Sequence, residues 1–171
     1  MSSFRTLLCA ASCGFALAAA GPARAADVGA PAPDCALTPL SGQGMQQLRA
    51  LRGEVVWVDF WATWCGRCIE SFSFLDALQR ELGDDGLRVV AVNVNEHAAD
   101  ARDFLAKHPV SFSPLFDPGG RCAREFAVQG MPSSYLVDRH GVIRAVYLGF
   151  RSGEGPELRA RARELLAESS R

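Results

Sequence analysis

Cys65 and Cys68, separated by Gly66 and Arg67, are the residues of this sequence best suited to chemistry. They follow the apolar run Glu54–Phe60 (EVVWVDF) across Trp61-Ala62-Thr63-Trp64. After them, Ile69, Phe72, Leu75, Leu78 and Leu82 recur at three- and four-residue steps, which predicts one face of a helix over 69–82, ended at Gly83. Backbone N–H groups at a helix N-terminus lack intrahelical partners and carry partial positive charge. A thiolate there is stabilised, and its reactive fraction at neutral pH rises. The two-residue gap brings Cys68 within reach of Cys65, so one sulfur can attack a partner's disulfide and the other can resolve the mixed disulfide. Cys65, at the helix tip, is expected to be the exposed nucleophile, and Cys68 the more buried resolving thiol. A structural zinc site needs two further ligands at compatible spacing, whereas His97, His108, His140, Cys35 and Cys122 are scattered. No metal and no cofactor is expected.

Asp59 is the second informative position, a carboxylate inside an apolar strand. Burial of such a group is costly without a partner and raises its pKa. An acid poised near neutrality beneath a dithiol suits proton exchange with Cys68; the alternative is a strand-end aspartate turned to water.

The elements that must hold these residues are legible in the remaining pattern. Glu54–Phe60 and Leu87–Val94 are apolar runs suited to strands covered on both faces. Ala98–Lys107 reads as a helix ended by His108-Pro109, Val110–Phe116 as a strand and Gly120–Ala127 as a short helix. Ser133–Asp138 and Val142–Leu148 flank the turn Arg139-His140-Gly141 and predict an antiparallel hairpin. A last helix follows Gly153–Pro156, with Leu158, Ala162, Leu165 and Leu166 inward. The order is βαβαβαββα after a short N-terminal β segment, which predicts an α/β domain with a mixed central sheet flanked by helices on both faces. Hydrophobic residues at 49% and charged residues at 22% are globular values and exclude a disordered chain. A formal charge of −1 gives no electrostatic case for nucleic acid, and the body of the chain has no apolar run long enough to span a membrane.

Residues 1–25 read as a cleaved signal peptide: Arg5, the apolar run Thr6–Ala20, then Gly21-Pro22 and Ala23-Arg24-Ala25. Export, to the periplasm, is the expectation. Anchoring as a lipoprotein through Cys13 is the competing reading, weakened because the apolar run continues past Cys13. Cleavage leaves a lead-in at 26–34, a single domain at 35–171, and 16 basic against 19 acidic residues. Of the six cysteines, Cys9 and Cys13 would leave with the peptide, and Cys35, Cys65, Cys68 and Cys122 remain. An even number in an exported chain favours disulfides. Cys35 and Cys122 then form a structural bridge, a second redox pair, or two unrelated thiols; export and the even count favour the bridge.

The stretch Val58-Asp59-Phe60-Trp61-Ala62-Thr63-Trp64-Cys65-Gly66-Arg67-Cys68 resembles the active-site segment of thioredoxins. Over residues 30–168 the chain resembles the exported TlpA/ResA-like thiol:disulfide oxidoreductases, related to the redoxin and AhpC-TSA group. Ala30–Asp34, Val90–Asn95 and Gly130–Asp138 carry the similarity. The resemblance implies a thioredoxin fold and a redox-active Cys65–Cys68 disulfide, with Asp59 exchanging a proton with Cys68. It implies a cis Pro132 and a substrate groove formed by Trp64, Gly66, Arg67, Met131 and Pro132. It further implies a monomer that reduces disulfides of exported proteins, apocytochromes c among them, with a membrane thiol carrier as electron donor. Arg67 replaces the usual Pro, Ser73 another Pro, and Ser71 a common Glu, which puts the potential in doubt. The other readings are a thiol peroxidase, which would want a Thr where Ala62 stands, and a metal or apoprotein chaperone using the C-x-x-C as ligands.

Overall fold

In chain order the strands are β1 (Ala36–Pro39), β2 (Gln46–Gln47), β3 (Val55–Trp61), β4 (Leu87–Asn93), β5 (Leu115–Phe116), β6 (Ser133–Val137) and β7 (Ile143–Leu148). The helices are α1 (Gly66–Leu82), α2 (Ala98–Lys107), α3 (Arg121–Glu125) and α4 (Gly155–Ala167). The computed structural model describes residues 26–42 and 44–168; the expected signal peptide, with Cys9 and Cys13, lies outside them. The strands form one mixed sheet in the order β2-β1-β5-β4-β3-β6-β7. Strand β3 is buried at every position, parallel to β4 and antiparallel to β6.

Because side chains alternate along a strand, β3 serves two cores. Val55, Trp57 and Trp61 pack with Phe72, Leu75 and Leu78 of α1, Ala101 of α2, and Leu158, Ala162 and Leu165 of α4. Val56, Val58 and Phe60 face the opposite side, with Leu37, Cys122, Phe126 and Tyr135. Each fully buried large side chain contributes roughly 1.5–3 kcal/mol, so β3 ties both layers together.

Two segments depart from the pattern expected of the sequence, and the lead-in is anchored to the domain. The strand expected over Val110–Phe116 is reduced to Leu115–Phe116. Pro109 and Pro114 cannot donate to a ladder, and the Ser111 N–H donates to Asp76 Oδ1 at 2.5 Å instead. The helix expected over Gly120–Ala127 is shortened at both ends: Gly119 and Gly120 take φ of 74° and 66°, and Ala127 takes 53°. Finally, the lead-in packs against the body of the domain. Gly29 N–H donates to Ile143 O at 2.8 Å, and Ile143 N–H returns to Ala30 O at 2.9 Å, covering the start of edge strand β7. Immediately after this lead-in, Cys35 is bonded to Cys122 of α3, with Cα atoms 5.3 Å apart and exposures of 0% and 1%. Among the described residues, no helix is long and apolar enough to cross a membrane.

Candidate active site

Helix α1 begins one residue after Cys65, three residues earlier than the periodicity alone indicates. Cys65 is its N-cap: the sulfur accepts from the Cys68 backbone N–H at 3.2 Å, which places it against the positive end of the helix. The two cysteines are joined by a disulfide, Cα to Cα 5.4 Å. Both are largely shielded, Cys65 at 7% exposure and Cys68 at 1%, so Cys65 is the more accessible sulfur but is itself recessed. One turn further along, the buried Ser71 hydroxyl donates to Cys68 O at 3.0 Å. Trp64 is 70% exposed beside the pair, and Gly66 and Arg67 are exposed as well.

Asp59 lies between Trp57 and Trp61 on the face of β3 that α1 covers. It is fully buried, and burial pushes its pKa up to about 7, against the opposing pull of a hydrogen bond from Ser134. Ser134 Oγ donates to Asp59 Oδ1 at 2.5 Å, across the register that sets the two residues opposite each other on β3 and β6. Asp59 Oδ2 has no hydrogen-bond partner among the described residues.

The Met131–Pro132 peptide bond is cis, at the entry to β6. Pro132 is buried and its carbonyl accepts from Gly149 N–H at 2.8 Å, while Met131 is partly buried. The edge of the site on this side is a cleft of about 260 Å³ between β7 and α4, lined by Arg67, Tyr147, Phe150 and Glu157 among others. Arg67 is therefore turned towards this cleft, and among the described residues it makes no ion pair.

A group that sequence reasoning missed holds the loop between β3 and α1. Asn95 Oδ1 accepts from Thr63 N–H at 3.0 Å and from Asn93 Nδ2 at 2.9 Å, and Asn95 Nδ2 donates to Thr63 Oγ1 at 2.7 Å. Asn93 Oδ1 in turn accepts from Asn95 N–H at 3.0 Å. Two buried asparagines at the end of an otherwise apolar strand were the available signal, since such groups need partners.

A C-x-x-C disulfide at the head of a helix, in a fold that also carries a cis-proline and a buried acid, is suited to thiol–disulfide exchange. Residues 27–162 match the Redoxin family, and the chain belongs to it. Its relatives make it a thiol:disulfide oxidoreductase of the ResA/TlpA type with a thioredoxin fold. It is 29% identical over 130 residues to the thiol-disulfide oxidoreductase ResA of Geobacillus kaustophilus, spanning 76% of this chain and 74% of that protein. A Chlorobium tepidum structure described as a thiol:disulfide interchange protein DsbE superposes with a TM-score of 0.79 at 39% identity, over 82% of this chain and 99% of that one. The pneumococcal exposed lipoprotein thioredoxin of Streptococcus pneumoniae gives 0.68 at 26%, over 78% and 100%.

Proposed function

We propose that this chain is an exported, periplasmic reductase of protein disulfides, with the steps divided among Cys65, Cys68 and Asp59. The Cys65 thiolate attacks a partner disulfide; a Cys65–partner bond forms and the first partner sulfur leaves as thiolate. Cys68 Sγ gives its proton to the Asp59 carboxylate and attacks the Cys65 sulfur, forming the Cys65–Cys68 bond and releasing the second partner thiolate. The partner thiolates take up protons from Asp59 and from water. The chain is oxidised by two electrons, the partner is reduced by two, and an external thiol donor resets the pair. The observation that carries this reading is the Cys65 sulfur capping the helix that also holds Cys68.

Trp64, Gly66, Arg67, Met131 and Pro132 form the substrate groove. Among the described residues no backbone hydrogen bond engages the N–H or C=O of Met131, which leaves both for an extended partner segment. Residues 1–25 direct export as a signal peptide, the domain occupies 35–171, and the Cys35–Cys122 bond is a structural clamp because both sulfurs are buried away from the sheet face that carries the dithiol. The neighbour described as an exposed lipoprotein thioredoxin supports placement outside the cytoplasm. Apocytochromes c are the substrate class to test first, with a membrane thiol carrier as donor and the chain acting as a monomer.

The test is the reduction potential of the Cys65–Cys68 pair, together with insulin-disulfide reduction. A potential near that of thioredoxin, about −270 mV, with turnover of insulin is expected. A potential near about −120 mV, as for a strong oxidant, would assign the opposite direction. Consumption of peroxide with a dithiol donor, or tight metal binding by the reduced pair without insulin turnover, would replace the reading by a peroxidase or a metal chaperone.

A further inference from the structure

We infer that Ser134 is the positioning residue for Asp59: its donation to Oδ1 fixes the carboxyl so that protons are taken up and released at Oδ2, and it thereby sets the pH at which Asp59 can serve Cys68. The inference rests on the reading of Asp59 as the proton acceptor of the resolving thiol. It goes further by naming the atom that carries the proton and the residue that governs it.

The geometry supports this assignment in three ways. Ser134 is held opposite Asp59 by the antiparallel register of β3 and β6, so the contact is fixed by the sheet. Its hydroxyl engages one carboxyl oxygen at 2.5 Å, leaving Oδ2 without a partner among the described residues. With Oδ1 engaged by the Ser134 hydroxyl, Oδ2 is the oxygen left to exchange the proton. Ser134 also lies two residues beyond Pro132, so the strand that enters at the substrate groove is the one that reaches the buried acid.

Among the described residues, no charged side chain contributes to the shift of Asp59. Ala91 of β4 and Ser134 of β6 flank it in register, Tyr147 of β7 continues the row, and Trp57 and Trp61 lie beside it on its own strand. Helix α1 contributes Cys65 and Cys68, while α4 and α2 bring Leu158, Ala162, Leu165 and Ala101 to the same core. Of the charged groups on α4, Glu157, Arg161 and Glu164 act on Tyr147. Burial raises the acid and Ser134 lowers it, and no ion enters the balance. Loss of the hydroxyl removes the interaction that favours the ionised form.

The experiment follows the Asp59 carboxyl of the reduced full chain by carbon-13 NMR, with insulin reduction measured across the same pH range. In Ser134→Ala the carboxyl midpoint moves upward by about one pH unit, and the rise of the exchange rate moves with it. Ser134→Thr keeps the hydroxyl and restores both midpoints. A carboxyl midpoint unmoved in Ser134→Ala overturns the inference. A carboxyl that moves while the exchange profile stays in place overturns the role of Asp59 on which the inference rests.

Discussion

At the scale of single residues, the site is a contest between burial and hydrogen bonding, and Asp59 shows it most clearly. With a folded pKa of about 7 against 3.8 when exposed, the folded state holds a proton that the unfolded state has lost throughout that interval. Stability from this group is therefore full below about pH 4 and falls as pH rises to about 7, after which it is constant. The unfolding free energy of Asp59→Asn relative to the parent should shift by about 4 kcal/mol between pH 4 and pH 8, in favour of the variant at the higher pH. Urea unfolding of the oxidised proteins at several pH values checks this. A difference independent of pH would mean that the acid is not held neutral by burial. The same substitution should slow insulin reduction between pH 6 and 8 by about 10²-fold or more, the usual contribution of a positioned acid or base. An unchanged rate would remove Asp59 from the mechanism.

At the scale of elements, the loop that delivers the dithiol to α1 is held from outside itself. Asn95, just beyond β4, satisfies the main chain and hydroxyl of Thr63, and Asn93 fixes Asn95. Asn95→Ala leaves both Thr63 groups without their partner and should cost about 1–3 kcal/mol in urea unfolding. Hydrogen exchange at the Thr63 amide should accelerate in step; an amide as slow as in the parent would show that the loop is held otherwise. These elements also show what the sequence could and could not convey. The apolar runs of β3 and β4 and the periodicity of α1 announce themselves, because burial on both faces or on one stripe dictates residue type. The C-x-x-C pair announces the site through its spacing together with its place between an apolar strand and a periodic helix. The Ser134–Asp59 contact does not, because it depends on the register between strands 75 positions apart. The brevity of β5 was written in Pro109 and Pro114, but their effect on a ladder emerges only when the neighbouring strands are known.

At the scale of the whole molecule, the two disulfides lie on opposite faces of one sheet. Cys65–Cys68 sits in the core shared by α1, α2 and α4, and Cys35–Cys122 in the core shared by the N-terminal segment and α3. The latter closes a separation of 87 residues, for which chain entropy gives a ceiling of about 4–5 kcal/mol. Replacing Cys35 and Cys122 together by Ala should lower the unfolding free energy by up to that amount while insulin reduction persists. Loss of exchange in a variant that is still folded would make them a second working pair.

The division of labour within the dithiol is the centre of the account, and trapping resolves it. Reduced Cys68→Ser, offered a disulfide-bonded protein such as insulin, should accumulate a mixed disulfide that peptide mass spectrometry places on Cys65. Its absence, or an adduct on Cys35 or Cys122, would contradict the assignment of Cys65 as nucleophile and Cys68 as resolving thiol.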